Sequence, residues 1–193
     1  MSYNFFAYMA RMKLIKRWSL MKSVTDENIA EHSAQVAQIA HALALIKNRM
    51  FGGALDPDRI ASAALYHETS EVLTGDLPTP IKYYNPEIRR SYKDIEKIAN
   101  DKLISMLPEA LQADYRELIE IPSDSYEHRL IKAADKISAY IKCIEEMRSG
   151  NREFAKAEAT LKKEVESYFD LDEVKYFSNT FIPTFKKTLD ELE

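Results

Sequence analysis

Glycine is almost absent from this chain: four residues in 193, at positions 52, 53, 75 and 150. A strand-rich fold needs many tight turns, and tight turns draw on glycine, so the scarcity favours helices. The apolar spacing agrees, recurring with the helical period. We read a first helix over about 4–16 and a second over about 28–48, stopped before Gly52-Gly53. Asp56-Pro57 and Asn85-Pro86 each place a capping side chain before a proline suited to the first helical position. They open helices that run to about Leu73 and Met106. A short helix over 109–119 follows, then a long one from Ser123-Asp124-Ser125 to Gly150. Two C-terminal helices fill 152–169 and 172–192, the last kinked or split by Pro183. Gly75-Asp76-Leu77-Pro78-Thr79-Pro80 is the one long non-helical stretch, and its prolines should hold Asp76 in a defined place. The expected fold class is all-α, a single-domain helical bundle spanning residues 1–193.

The chain is 46% hydrophobic and 30% charged, the balance of a folded protein. With 27 basic against 31 acidic residues the net charge is -4, which gives no reason to expect a nucleic-acid polymer as partner. A small anion can still find a locally positive pocket. The single cysteine, Cys143, excludes an internal disulfide and a cysteine-built zinc site, and fits a reducing cytoplasm. No apolar run is long enough for a membrane span. The short run Phe5 to Ala10 has its basic residues on the wrong side for a secretory signal.

A helix turns ~100° per residue, so the side on which each ionisable group falls can be read directly. His32 lies in line with Val36, Ile39, Leu43 and Ile46, whereas His41 points to roughly the opposite side. His67 and Glu71 continue a stripe begun by Ile60 and Ala64, with Glu68 adjacent. Asp135 lies within the stripe of Leu130, Ile131, Ala134, Ile137, Ser138 and Ile141. Buried acids are costly without a cation or hydrogen-bond donors. Taken singly, each has an ordinary explanation, since an inward histidine is commonly a satisfied core residue. Taken jointly, His32, His67, Glu68 and Asp135 come from three predicted helices, and imidazole with carboxylate suits a borderline divalent ion.

The order His32, then His67 with a following acid, then Asp135 resembles the H…HD…D signature of HD-domain phosphohydrolases. Arg17-Trp18, Glu31-His32-Ser33, the run from Tyr66 through Gly75-Asp76-Leu77-Pro78-Thr79-Pro80, and Ala133-Ala134-Asp135-Lys136 are similar to the 5'-deoxynucleotidases of the YfbR type, over nearly the whole chain. The resemblance implies an HD-domain bundle and one divalent metal ion (cobalt, manganese, zinc or similar) held by His32, His67, Glu68 and Asp135. It implies deoxyribonucleoside 5'-monophosphates as substrates. Arg17 would bind the phosphate and Trp18 would pack against the sugar, disfavouring a 2'-hydroxyl. Glu71 would orient or deprotonate the attacking water, and Asp76 would sit near the leaving 5'-oxygen or the sugar. It also implies a cytoplasmic homodimer. The family writes His-Asp where this chain has His67-Glu68, which keeps the charge but adds a methylene. Other readings stay open: an HD protein that binds nucleotide with little turnover, an HD phosphodiesterase or triphosphohydrolase, and a metal-free helical interaction module. Arg17 has a rival role as a cap of the first helix, Trp18 as core or dimer packing, and Asp76 as a turn residue. Lys136 is read as a salt-bridge or surface lysine, His128 as exposed, and Cys143 as buried and inert.

Overall fold

The computed structural model describes residues 2–82 and 84–193. The chain begins with α1 (Phe5–Met9), a 3-10 turn (Met12–Leu14), and an extended loop that leads into α2 (Ile29–Met50). Then come α3 (Pro57–Leu65), the single turns α4 (Glu71–Thr74) and α5 (Thr79–Lys82), α6 (Pro86–Ile104) and α7 (Glu109–Ile119). The long α8 (Tyr126–Arg148) is followed by α9 (Ala155–Glu166) and α10 (Asp172–Thr180). Among the described residues there is no strand, only an isolated antiparallel bridge between Lys16 and Asn28. No helix among them is long and apolar enough to cross a membrane.

The capping signals sit where the helices start. Asn28 accepts hydrogen bonds from the Ala30 and Glu31 amides while the Glu31 carboxylate accepts from the Asn28 amide, a closed capping box. Asp56, Asn85 and Ser125 cap α3, α6 and α8, each side chain accepting from one amide three residues on. α2 and α8 form the centre, with α3 and α10 packed on α2 and α9 on α8. Their shared core includes Val36, Leu43, Ile60, Leu130, Ile137 and Val174. Burying each such side chain contributes about 1.5–3 kcal/mol. A second, smaller core of Phe5, Leu103 and Leu107 takes in Tyr66, Val72 and Leu73 at its edge. The segment between α3 and α5 is thereby anchored in this second core.

Three expected helices are shorter than their spacing indicated. The first stops at Met9, because Ile15 turns extended to pair with Ile29: the Ile29 amide donates to the Ile15 carbonyl at 3.0 Å. The third stops at Leu65 instead of running to Leu73. There the His67 ring and the Thr69 hydroxyl donate to the Ala64 and Tyr66 carbonyls at 2.7 and 2.6 Å, displacing the helical pattern. His67 and Glu68 thus lie in a turn, not on a helix. The last helix is split just ahead of Pro183, as its ring requires. The non-helical stretch after Gly75 also ends earlier than expected, since Thr79 already opens α5. Gly75 itself has φ +74, a conformation that strains any residue with a Cβ. His128, expected exposed, is half-buried, whereas Lys136 pairs with Glu164 at 3.0 Å and Cys143 is buried as expected.

The loop between Arg17 and Glu27 is tied down at its far side by the end of α8. Glu146 is buried and accepts from the Val24 and Thr25 amides at 2.8 and 3.1 Å, from Asn151 at 2.8 Å, and from Lys142 at 2.6 Å. Burial alone would raise its carboxyl, but Lys142 and these donors outweigh it and hold the group down at about 2. We expect Glu146→Gln to lower stability by roughly 1–3 kcal/mol, seen as a Tm fall of about 2–12 °C. The stability this carboxylate contributes is present above its ordinary value near 4.5 and is lost as pH falls toward 2, so the Tm gap should close in acid.

Candidate metal centre

α2 delivers His32 from its first turn, fully buried, and α8 delivers Asp135 from its middle. The turn after α3 delivers His67 and Glu68. One ligand atom from each of the four lies within 4.8 Å of every other. The extra methylene of Glu68 does not carry it out of reach: its Oε1 is 3.3 Å from His67 Nε2. Two of these residues owe their place to the broken third helix, which the spacing argument had kept continuous.

The ring tautomers follow from the partners. His67 Nδ1 donates to a carbonyl, which can only accept, so Nδ1 carries a proton and, in the neutral ring, Nε2 is the bare nitrogen. Nε2 is buried with no hydrogen-bond partner. Ser138 donates its hydroxyl to Gln35 Oε1 at 2.6 Å, which leaves its oxygen to accept from His32 Nδ1 at 3.1 Å. His32 Nε2 then faces Asp135 Oδ1 at 3.0 Å. Two lone pairs at that distance need positive charge between them. A second proton on His32 is disfavoured, because burial and the Arg17 charge lower its pKa. The donor set therefore fits a divalent cation: two bare imidazole nitrogens and two carboxylates, with both carboxyls held well below the usual range. Burial opposes that ionisation, and it is outweighed only by positive charge on the His67 side of Glu68 and the His32 side of Asp135, the charge that a divalent ion would supply where the rings are neutral.

Glu71 opens α4 and is buried beside the cluster, with Oε2 unpartnered. Burial, Glu68 and Asp76 push its carboxyl up to about 10. Asp76 is also raised, first by burial, with Arg17 pulling against it. Arg17 is not a helix cap. Its Nε donates to Glu27 Oε2 at 3.1 Å, and Asp135, Glu27, Glu68 and Asp76 together outweigh its burial and keep it charged. Trp18 donates its indole N–H to the same Glu27 oxygen at 2.8 Å and lies against Phe154, ring centroids 5.3 Å apart. Its φ of +58 is left-handed, which costs a non-glycine residue about 1–2 kcal/mol. Such strain concentrates at functional sites.

Sequence reasoning missed Glu27, the Gln35–Ser138 relay and two lysines. Lys132, one turn before Asp135 on α8, acts on Glu68 and Asp135. Lys82 ion-pairs with Glu96 at 2.8 Å and its charge reaches Glu71 and Asp76. Lys132 was within reach of the helical period, three residues before Asp135; Glu27 sits in a loop and carries no periodic signal.

A buried two-histidine, two-carboxylate centre in an all-α bundle is the arrangement of HD-domain phosphohydrolases. The fold matches such a protein from Listeria innocua with a TM-score of 0.83 at 24% identity, over 95% of this chain and 88% of that one. It also matches the cyanophage S-2L HD phosphohydrolase, solved bound to dA and one catalytic zinc ion, with a TM-score of 0.63 at 20% identity, over 94% of this chain and 96% of that one. A curated 5'-deoxynucleotidase of Vibrio parahaemolyticus is 55% identical over 190 residues, 98% of this chain and 97% of its own. Residues 4–185 match the family model of the YfbR-like 5'-deoxynucleotidases, and the chain belongs to that family.

Proposed function

We propose that this chain is a metal-dependent phosphomonoesterase that converts deoxyribonucleoside 5'-monophosphates to deoxyribonucleosides and phosphate. The observation that carries the reading is the buried cluster in which both histidines turn bare Nε2 atoms toward two carboxylates. His32, His67, Glu68 and Asp135 would hold one divalent ion, with cobalt, manganese and zinc all suited to this donor set. When bound, such an ion supplies Lewis acidity, neutralising phosphoryl charge and acidifying nearby water.

The chain's own groups do the rest. The two terminal nitrogens of Arg17 grip the phosphate in a fork. Trp18 walls the sugar on the side where a ribose would carry its 2'-hydroxyl. Glu71 takes the proton of the attacking water. Its raised pKa keeps it protonated until positive charge arrives beside it, which would lower it into a working range. Asp76, also raised, returns a proton to the departing 5'-oxygen. Water thus adds to phosphorus as the ester P–O bond breaks, and one proton reaches each product.

Glu68 in the family's aspartate position favours a second reading, a protein that binds nucleotide with little turnover. The reach of its carboxylate into the cluster weighs against that. We further read the protein as cytoplasmic, on its one buried thiol, and as a homodimer. The exposed Ile95 and Ile98, one turn apart on α6, give such a dimer an apolar patch. Sedimentation of the purified protein checks the latter.

The test of the function is phosphate release from dUMP, dTMP and dAMP beside UMP and AMP, with cobalt, manganese, zinc or no metal added after chelation. Metal-dependent release confined to the deoxy substrates is expected. Equal release from the ribonucleotides, or none with any metal, would contradict it.

A further inference from the structure

The loop from Arg17 to Glu27 has two sets of fastenings that do different jobs. Its ends are joined by the Lys16–Asn28 bridge and its body is fixed by Lys142, Glu146 and Asn151. These hold the backbone and would persist without the Glu27 side chain. The Glu27 carboxylate does something else. One oxygen, Oε2, accepts from both Arg17 Nε and Trp18 Nε1. Neighbouring side chains in an extended segment point to opposite sides. The left-handed backbone at Trp18 breaks that alternation, so two adjacent side chains meet at one atom.

We propose that Glu27 is a positioning and specificity-determining residue, locking the phosphate grip of Arg17 and the sugar wall of Trp18 into a single unit. This rests on the dNMP phosphatase reading given above. Using Nε for Glu27 leaves the terminal Arg17 nitrogens, which make no hydrogen bond to the described residues, as a preset fork. The indole is fixed at its polar edge by Glu27 and on its ring by Phe154. A phosphate seated on Arg17 is thereby referenced to the surface that senses C2'. A ribose hydroxyl cannot be admitted by a small tilt of the indole unless the shared carboxylate moves too.

Glu27→Gln keeps the shape and removes the charge. It should lower kcat/KM for dUMP roughly 10- to 100-fold, the cost of a charge-assisted hydrogen bond. It should also shrink the dUMP-to-UMP selectivity ratio by about tenfold, whereas Arg17→Lys should slow both substrates alike and leave the ratio in place. Trp18 is the only tryptophan in the chain, so intrinsic fluorescence reports it alone. Acrylamide quenching of that emission, measured well below the Tm of each protein, should rise about twofold in Glu27→Gln and stay as in the wild type in Arg17→Lys. Should the glutamine variant fail to fold, Glu27→Asp, too short to reach both donors, takes its place. An unchanged selectivity ratio, or unchanged quenching, would overturn the proposal. A wild type that hydrolyses neither nucleotide would instead overturn the phosphatase reading, and the quenching measurement alone would then decide whether Glu27 positions the indole.

Discussion

Asp135→Asn should reduce dNMP hydrolysis by about 1,000-fold or more, with a parallel loss of divalent-ion affinity. The residue sits at the crowded point of the cluster: its Oδ1 is 3.0 Å from His32 Nε2 and 4.0 Å from His67 Nε2. Asparagine preserves the size and one acceptor but removes the charge that makes two bare imidazole nitrogens and a second carboxylate a site for a dication. A Lewis acid contributes several kcal/mol to a phosphoryl-transfer transition state, and each ~1.4 kcal/mol is tenfold in rate, which sets the expected scale. Activity measured across a metal titration separates the causes. A variant that recovers only at far higher metal concentration has lost affinity, and one that never recovers has lost geometry.

Glu71→Gln is expected to lower kcat by roughly 100- to 10,000-fold with little change in KM, the range for loss of a general base. The same change should stabilise the protein when it is stripped of metal. With its carboxyl pushed up to about 10 against an ordinary 4.5, Glu71 favours folding fully only below 4.5, and that contribution declines as pH rises toward 10. The unfolded chain ionises freely there while the folded one resists. At pH 8 the glutamine variant should therefore melt higher than wild type by at least about 2–4 °C, the equivalent of ~1 kcal/mol for a domain of this size. At pH 4 the gap should vanish. Thermal melts at the two pH values, in chelator, check both the size and the sign. Equal melting at pH 8 would show that Glu71 is not held protonated in the stripped protein, and its role as base would then rest on the loss of kcat alone.

Much of the architecture could be read from the residues because it rests on local rules. α2, α6 and α8 are long, amphipathic and capped by Asn28, Asn85 and Ser125, so periodicity and caps point the same way. The third helix was misread for a reason periodicity cannot carry. His67 and Thr69 turn their side chains onto backbone carbonyls, and the break they cause is what aims His67 and Glu68 at His32 and Asp135. The stripe logic thus picked residues that the structure brings together while placing two of them on the wrong element. The loop around Trp18 was illegible throughout. Its conformation is set by Glu146, 122 residues along the chain from Val24, and by a backbone pairing across the loop, neither of which leaves a local signature. Glu27 falls in that loop, and for that reason the residue joining Arg17 to Trp18 emerged only from the three-dimensional arrangement.

The most direct test of the central claim is metal reconstitution. Protein stripped by chelator would be titrated with a divalent ion while bound metal and phosphate release from dUMP are followed together, beside His67→Ala. Activity that appears in step with one ion per chain, and is lost in the variant, is the expected result. Full activity in the stripped protein, or wild-type activity in His67→Ala, would contradict a reaction built on His32, His67, Glu68 and Asp135.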